Sequence, residues 1–206
     1  MTSHKPAIIA VGANLPSEGR NPLSSVREAI AIVLHAAGPE ARASRLFRTP
    51  AFPPGSGPEF VNAAIRLPWN DTPEVLLEWL HEIEAGFGRT RTARWEARIM
   101  DLDLIAVGEI VLPDRKMQAR WADLPQVQAA QVTPGFLILP HPRLAERPFV
   151  LVPMADIAPD WRHPVTGRTV AEMLAALPDS DLADVRPISA ATNAPVPLSS
   201  SDTGGM

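Results

Sequence analysis

Cysteine is missing from all 206 residues, which excludes disulfides and thiolate metal sites together. Long apolar runs are missing too. No stretch approaches the ~20 residues of a membrane span, and Met1–Pro6 holds no apolar segment of the kind an export leader carries. There is no basic surplus either: the formal net charge is −4, which argues against a general nucleic-acid binder. Two phosphate-binding signatures, G-x-x-x-x-G-K-[ST] and G-x-G-x-x-G, are absent, so neither a P-loop kinase nor a Rossmann domain is indicated. A cytoplasmic protein without membrane or nucleic-acid partners is the expectation.

What is present suits one globular domain, with 46% hydrophobic and 20% charged residues. Ala7–Gly12 is a short apolar run that predicts a buried strand. Asn21-Pro22 then offers an N-cap and a first-turn proline. Val26, Ile30, Val33 and Ala37 recur at helical spacing up to Gly38. Ser44–Phe47 predicts a second strand, halted by Thr49-Pro50, and residues 50–59 are too rich in proline and glycine for anything but a loop. Over Phe60–Leu67 the alternation puts Val61, Ala63, Ile65 and Leu67 on a core face. Phe60, Asn62, Ala64 and Arg66 fall on the other, either a ligand surface or an ordinary edge-strand face. Asp71 and Thr72 cap a helix with Leu76, Leu80, Ile83 and Phe87 inside, ended by Gly88. Ile99–Val107 predicts a fourth strand, with a hairpin through Gly108 into Ile110–Leu112. Arg147–Ala158 and a capping box at Thr169-x-x-Glu172 predict C-terminal helices. The expected fold is an α+β, ferredoxin-like βαββαβ sandwich with an added hairpin strand and C-terminal helices. Residues 1–186 form the single domain, 113–136 an irregular insertion, and 187–206, rich in Ala, Ser, Thr, Pro and Gly, a disordered tail.

Three constellations carry chemistry. Within Asp101-Leu102-Asp103-Leu104, period two places both carboxylates on one strand face. Paired like charges are costly unless offset, and hard oxygens at this spacing suit Mg²⁺; the bland alternative is a solvated polar face. Just upstream, Arg89, Arg91, Arg94 and Arg98 surround Trp95 in an otherwise acidic chain. Arginine forks recognise phosphate, and a cationic loop feeding a two-aspartate strand fits a metal-bound polyphosphate better than a solvated basic loop. The third is His141, held between Pro140 and Pro142 beside Arg143 and Arg147; it is either structural or a nucleotide contact.

In order and spacing, AVGANL (10–15), FRTP (47–50), FVNAAI (60–65), the arginine run into DLDL (89–104), LPHPRLAERPFVLVPMADIAP (139–159) and HPVTG (163–167) resemble the 6-hydroxymethyl-7,8-dihydropterin pyrophosphokinase family. The resemblance implies transfer of pyrophosphate from ATP to the hydroxymethyl group of a reduced pterin in folate biosynthesis, releasing AMP. It implies two Mg²⁺ ions on Asp101 and Asp103, with Arg89 and Arg98 offsetting charge as AMP leaves. It places Glu84, Arg91, Arg98, His141 and Arg147 at ATP, and Thr49, Pro50, Phe60, Asn62, Trp95 and Phe149 at the pterin. A monomer is expected. The chain departs from the family pattern at Ala13, at Glu96-Ala97 and at Thr92, and residues 113–136 are longer than the usual connection. Two other readings compete: a non-catalytic ligand-binding module on the same scaffold, and a nucleotidyltransferase with an Asp-x-Asp metal site. The second lacks a Gly-Ser turn shortly before its aspartates.

Overall fold

The computed structural model describes residues 4–17, 19–51, 55, 57–88, 99–129 and 131–189. The chain opens with β1 (Lys5–Ala13), whose Ala7, Ile8 and Ile9 are fully buried. Next comes α1 (Pro22–Ala37), where the Asn21 side chain accepts the Ser24 N–H at 2.9 Å. Gly38, at φ 81°, closes α1 by donating its N–H to the Leu34 carbonyl.

The second strand expected at Ser44–Phe47 is split into β2 (Arg42–Ala43) and β3 (Phe47–Thr49). The cause lies in two side chains. The Ser44 hydroxyl, in place of a backbone carbonyl, accepts the Ala64 N–H at 2.9 Å. Arg45 leaves the ladder to grip Asp156 through its backbone N–H at 3.1 Å and its guanidinium at 2.9 and 2.8 Å. β4 (Phe60–Trp69) follows, then α2 (Pro73–Gly86) capped by Thr72, and β5 (Asp101–Val107).

The C-terminal half adds α3 (Arg115–Ala122), α4 (Gln126–Ala129), α5 (Pro148–Ile157), α6 (Val170–Leu174), α7 (Asp179–Ala183) and β6 (Arg186–Pro187). The Thr169 capping box of α6 forms as its sequence predicts. Strand order is β5-β1-β4-β3-β6, with β2 also on β4, and every pairing is antiparallel. With β2 and β3 counted as one interrupted strand, this is the βαββαβ order of a ferredoxin-like sheet, extended at one edge by β6.

Each face of the sheet has its own cover. Ile9, Val11, Val61, Ala63, Ile65, Leu102 and Leu104 pack against Val26, Ala29 and Val33 of α1 and Leu76, Leu80 and Ile83 of α2. On the opposite face Ile8, Ala64 and Ile105 lie under Val150, Leu151 and Met154 of α5 and Val170 and Met173 of α6. Each fully buried aliphatic side chain contributes roughly 1.5–3 kcal/mol. Because α5 starts only at Pro148, this second cover is partial, and the sheet beyond it is left for a site.

Three sequence expectations need correction. The hairpin through Gly108 does not form among the described residues. Gly108 instead donates to the Pro6 carbonyl at 2.8 Å, and Leu112 exchanges bonds of 2.9 and 3.2 Å with Leu139. Pro113 has no N–H to extend a ladder, and β1 already fills the inner edge of β5. Residues 113–136, expected to be irregular, contain α3 and α4, the former capped by the Asp114 side chain on the Met117 N–H at 2.9 Å. The tail boundary expected at Pro187 falls inside β6, and Ile188 is buried with its N–H on the Leu46 carbonyl.

Candidate active site

Toward the Gly12 end of this second face, the sheet changes from large apolar to small and polar residues. Ala10 pairs with Ala64 and Asp103, and Gly12 pairs with Asn62 and Asp101. Directly paired residues share a face, so Asp101, Gly12 and Asn62 form one row across three strands, and Asp103, Ala10 and Ala64 the next. Both acids point the same way, as the alternation of the sequence predicts.

β5 is an edge strand, and its outward backbone groups need partners. Glu84 of α2, 2% exposed, accepts the Leu102 N–H at 2.8 Å. His141 donates its backbone N–H to the Ile105 carbonyl at 2.8 Å. These bonds fix the strand between the two acids and just beyond them. Glu84 therefore has a positioning role that its sequence position did not disclose.

Two hollows meet at the aspartates. A cavity of about 610 Å³ opens between α2, the outer edge of β5 and the segment 132–138; Glu84, His141 and Arg147 line it with both acids. A cleft of about 30 Å³ lies over the sheet, bounded by Ala10, Gly12, Asn62, Phe149 and the same two acids. Asp101 and Asp103 are thus the shared rim of a large site and a small one.

On the cavity side, His141 Nδ1 accepts the Arg143 N–H at 3.1 Å, which leaves the ring proton on Nε2. Burial, followed by the nearby Arg147 charge, pushes its pKa down to about 3 against a smaller upward pull from Asp101. The ring is a neutral N–H donor at physiological pH. Arg147 Nη1 lies 3.4 Å from Asp103 Oδ2, and its guanidinium stands 5.7 Å from the Phe149 ring centre.

On the cleft side, Asn62 is 6% exposed and donates from Nδ2 to Thr49 Oγ1 at 2.8 Å. Its Oδ1 hangs over Gly12, where an added Cβ would come within 2.9 Å. Gly12 is needed here for space, a demand the sequence alone did not reveal. Phe60, half-buried, is paired with Thr49; Pro50 follows, exposed; Phe149 is 37% exposed.

Thr49, Pro50, Phe60, Asn62, Phe149, Asp101, Asp103, Glu84, His141 and Arg147 therefore gather at one end of the sheet. Arg89, Arg91, Trp95 and Arg98 lie outside the described residues. Sequence reasoning missed His81 and Trp121, which line the large cavity. His81 was legible as the residue one turn before Glu84 on the same helix face.

The donor set fits magnesium. Among the described residues no group of three or more His, Cys, Asp or Glu could hold a metal; Asp101 and Asp103 offer two carboxylates on one strand face. Mg²⁺ commonly takes one or two carboxylates and completes its shell with water and phosphate oxygens.

Fold and site together define a class: a ferredoxin-like protein with two hollows meeting at an acidic strand end. The chain belongs to the 7,8-dihydro-6-hydroxymethylpterin-pyrophosphokinase (HPPK) family, whose model matches residues 8–159. A Synechocystis protein named 2-amino-4-hydroxy-6-hydroxymethyldihydropteridine pyrophosphokinase is 36% identical over 169 residues, 82% of this chain and 74% of the relative. A Pseudomonas aeruginosa protein of the same name is 35% identical over 173 residues, covering 82% and 90%. The fold matches that of an HPPK-DHPS crystal structure in complex with substrates at TM-score 0.60 and 12% identity, over 87% of this chain and 44% of the other. A Plasmodium falciparum HPPK-DHPS matches at TM-score 0.57 and 12% identity, over 84% and 44%. The chain thus spans under half the length of those solved proteins.

Proposed function

We propose that this chain transfers the pyrophosphoryl group of ATP to 6-hydroxymethyl-7,8-dihydropterin, giving the pterin diphosphate and AMP, a step of folate biosynthesis. The observation that carries the reading is the shared rim: Asp101 and Asp103 face the large cavity and the small cleft at once. The cavity is of the size that nucleotide-scale ligands occupy. The triphosphate belongs there, between the acids and the cationic Arg147 and Arg143. Across the acids lies the pterin, its rings against Phe60, Phe149 and Trp95, its polar edge on Asn62 and Thr49, with Pro50 beside them.

In the reaction the pterin hydroxymethyl oxygen attacks the β-phosphorus in line, and the bond from that phosphorus to the α–β bridging oxygen breaks. AMP leaves with the electron pair, and the hydroxyl proton passes to solvent. When bound, two Mg²⁺ ions on Asp101 and Asp103 supply charge neutralisation and alignment of the phosphates. His141 donates from Nε2 to a phosphate or ribose oxygen, and Arg147 exchanges Asp103 for phosphate. Arg89, Arg91 and Arg98 add positive charge against the leaving AMP, and Glu84 holds the strand that carries both acids. No covalent intermediate is needed; positioning and electrostatics are sufficient.

No helix among the described residues is long and apolar enough to cross a membrane. A cytoplasmic monomer binding no nucleic acid is the arrangement we propose. The test is to incubate the protein with ATP, Mg²⁺ and the hydroxymethyl dihydropterin and resolve the nucleotides. AMP in a one-to-one ratio with pterin diphosphate is the expected result. ADP as the product, or no pterin-dependent turnover, rejects the reading.

A further inference from the structure

We propose that Gln118 of α3 is a positioning residue for the phosphate donor: it holds the Pro140 carbonyl and, through it, the His141 ring that lines the large cavity. The role presupposes ATP as the donor. It also gives a task to the segment 113–136, which is longer than the family's usual connection.

His141 stands where the backbone has few bonds of its own. Pro140 and Pro142 have no N–H, so the stretch 140–142 carries a single backbone donor, that of His141. It is taken by the Ile105 carbonyl of β5 at 2.8 Å. On one side Leu139 is tied to Leu112 through its N–H at 3.2 Å and its carbonyl at 2.9 Å. On the other, the His141 carbonyl accepts the Leu144 N–H at 3.0 Å. Between these points the Pro140 carbonyl needs a donor, and Gln118, 1% exposed, supplies Nε2 at 3.2 Å. That bond sets the peptide plane from which the His141 Cα departs. The ring is held separately, by the Arg143 N–H on Nδ1 at 3.1 Å. With plane and ring both fixed, Nε2 is left to donate to a ligand in the cavity.

α3 can act as a splint because it is itself anchored away from the cavity. The Asp114 side chain caps it on the Met117 N–H, and Arg115 donates to the Pro164 carbonyl at 2.6 Å. Pro164 belongs to a tight turn in which His163 Nδ1 accepts the N–H groups of Val165 and Thr166 at 3.2 and 3.3 Å. The helix therefore stands between the 163–167 turn and His141. An unbranched apolar side chain of the same length would fill the space of Gln118 without the cost of burying an amide. What the amide adds is a directed bond, and the segment it directs carries His141.

The test is a double-mutant cycle, with calorimetry of a non-hydrolysable ATP analogue on the full chain in Mg²⁺. Wild type, Gln118→Met, His141→Ala and the double variant are compared. Gln118→Met keeps the length of the side chain and removes the donor. The expected result is analogue affinity weakened about three- to tenfold in Gln118→Met, the range one hydrogen bond commands, and by at least as much in His141→Ala. In the His141→Ala background the Gln118 change costs less than about twofold, because no ring remains to be aimed. A merely structural glutamine would instead weaken binding by the same factor in both backgrounds, and that result overturns the proposal. Wild-type affinity in Gln118→Met overturns it as well, as does wild-type affinity in His141→Ala. Should Gln118→Met fail to fold, Gln118→Asn, which keeps the amide but is one methylene too short to reach Pro140, takes its place in the cycle. A wild type that binds no ATP analogue removes both this role and the ATP reading, whereas equal losses in the two backgrounds remove this role alone.

Discussion

Replacing Gly12 by alanine tests the cleft with a single methyl group. The new Cβ would lie 2.9 Å from Asn62 Oδ1, about 0.5 Å inside an ordinary contact. A clash with the tip of a side chain is usually relieved by rotation. Here the amide is 6% exposed and tied to Thr49 by a 2.8 Å bond, so relief means breaking that bond or shifting β4. Losing a buried hydrogen bond in this way costs about 1–3 kcal/mol. The methyl also narrows the cleft bounded by Gly12, Asn62 and Phe149. Steady-state kinetics with the pterin varied at saturating ATP is the assay. The expected outcome is a KM for the pterin raised roughly 5- to 150-fold, the factor that corresponds to 1–3 kcal/mol, while affinity for a non-hydrolysable ATP analogue is unchanged. An unaltered pterin KM in a correctly folded Gly12→Ala protein refutes the assignment of the cleft.

Other predictions follow from the same geometry. Glu84→Ala leaves the Leu102 N–H without its carboxylate and lowers stability by about 1–3 kcal/mol in urea unfolding; Glu84→Gln, which keeps an acceptor, loses less. Acid weakens the fold through its histidines. Burial lowers the pKa of His141 to about 3 and also lowers that of His163, so as pH falls through about 6.5 the unfolded chain takes up protons that the folded chain refuses. The stabilisation is therefore complete above that pH and lost below it. His141 alone accounts for about 2 kcal/mol between pH 8 and pH 5, and His141→Gln should flatten the measured slope. Arg45→Ala removes the clamp on Asp156 and should expose the region around Ser44 to faster hydrogen exchange, with turnover little affected. Equal exchange rates would contradict the role given to that pair.

Legibility followed the range of the interactions. α1 was readable because Asn21, Pro22 and Gly38 act on their own helix, and DLDL because strand alternation is a local rule. The interruption between β2 and β3 was not, since it depends on Arg45 meeting Asp156 from 111 positions away. α3 was missed because Met117 and Trp121 make too short a stripe in a polar segment, and its placement comes from Gln118 reaching Pro140. The hairpin failed for a related reason: Ile110–Leu112 has strand composition, but the edges of β5 are already taken by β1 on one side and by Glu84 and His141 on the other. At the site, Asn62, Asp101 and Asp103 were visible as residue types at the right period. The steric need for Gly12 was hidden, because it exists only once β1 and β4 lie side by side.

The account stands on two carboxylates that organise a divalent cation and a triphosphate between the hollows. Its most direct measurement is the magnesium dependence of ATP-analogue affinity in wild type and in Asp103→Ala. The account predicts that wild-type affinity rises steeply with Mg²⁺, and that the variant keeps its fold, loses most of that dependence and releases no AMP with pterin present. A variant with the wild-type magnesium response and near-normal AMP release would contradict it.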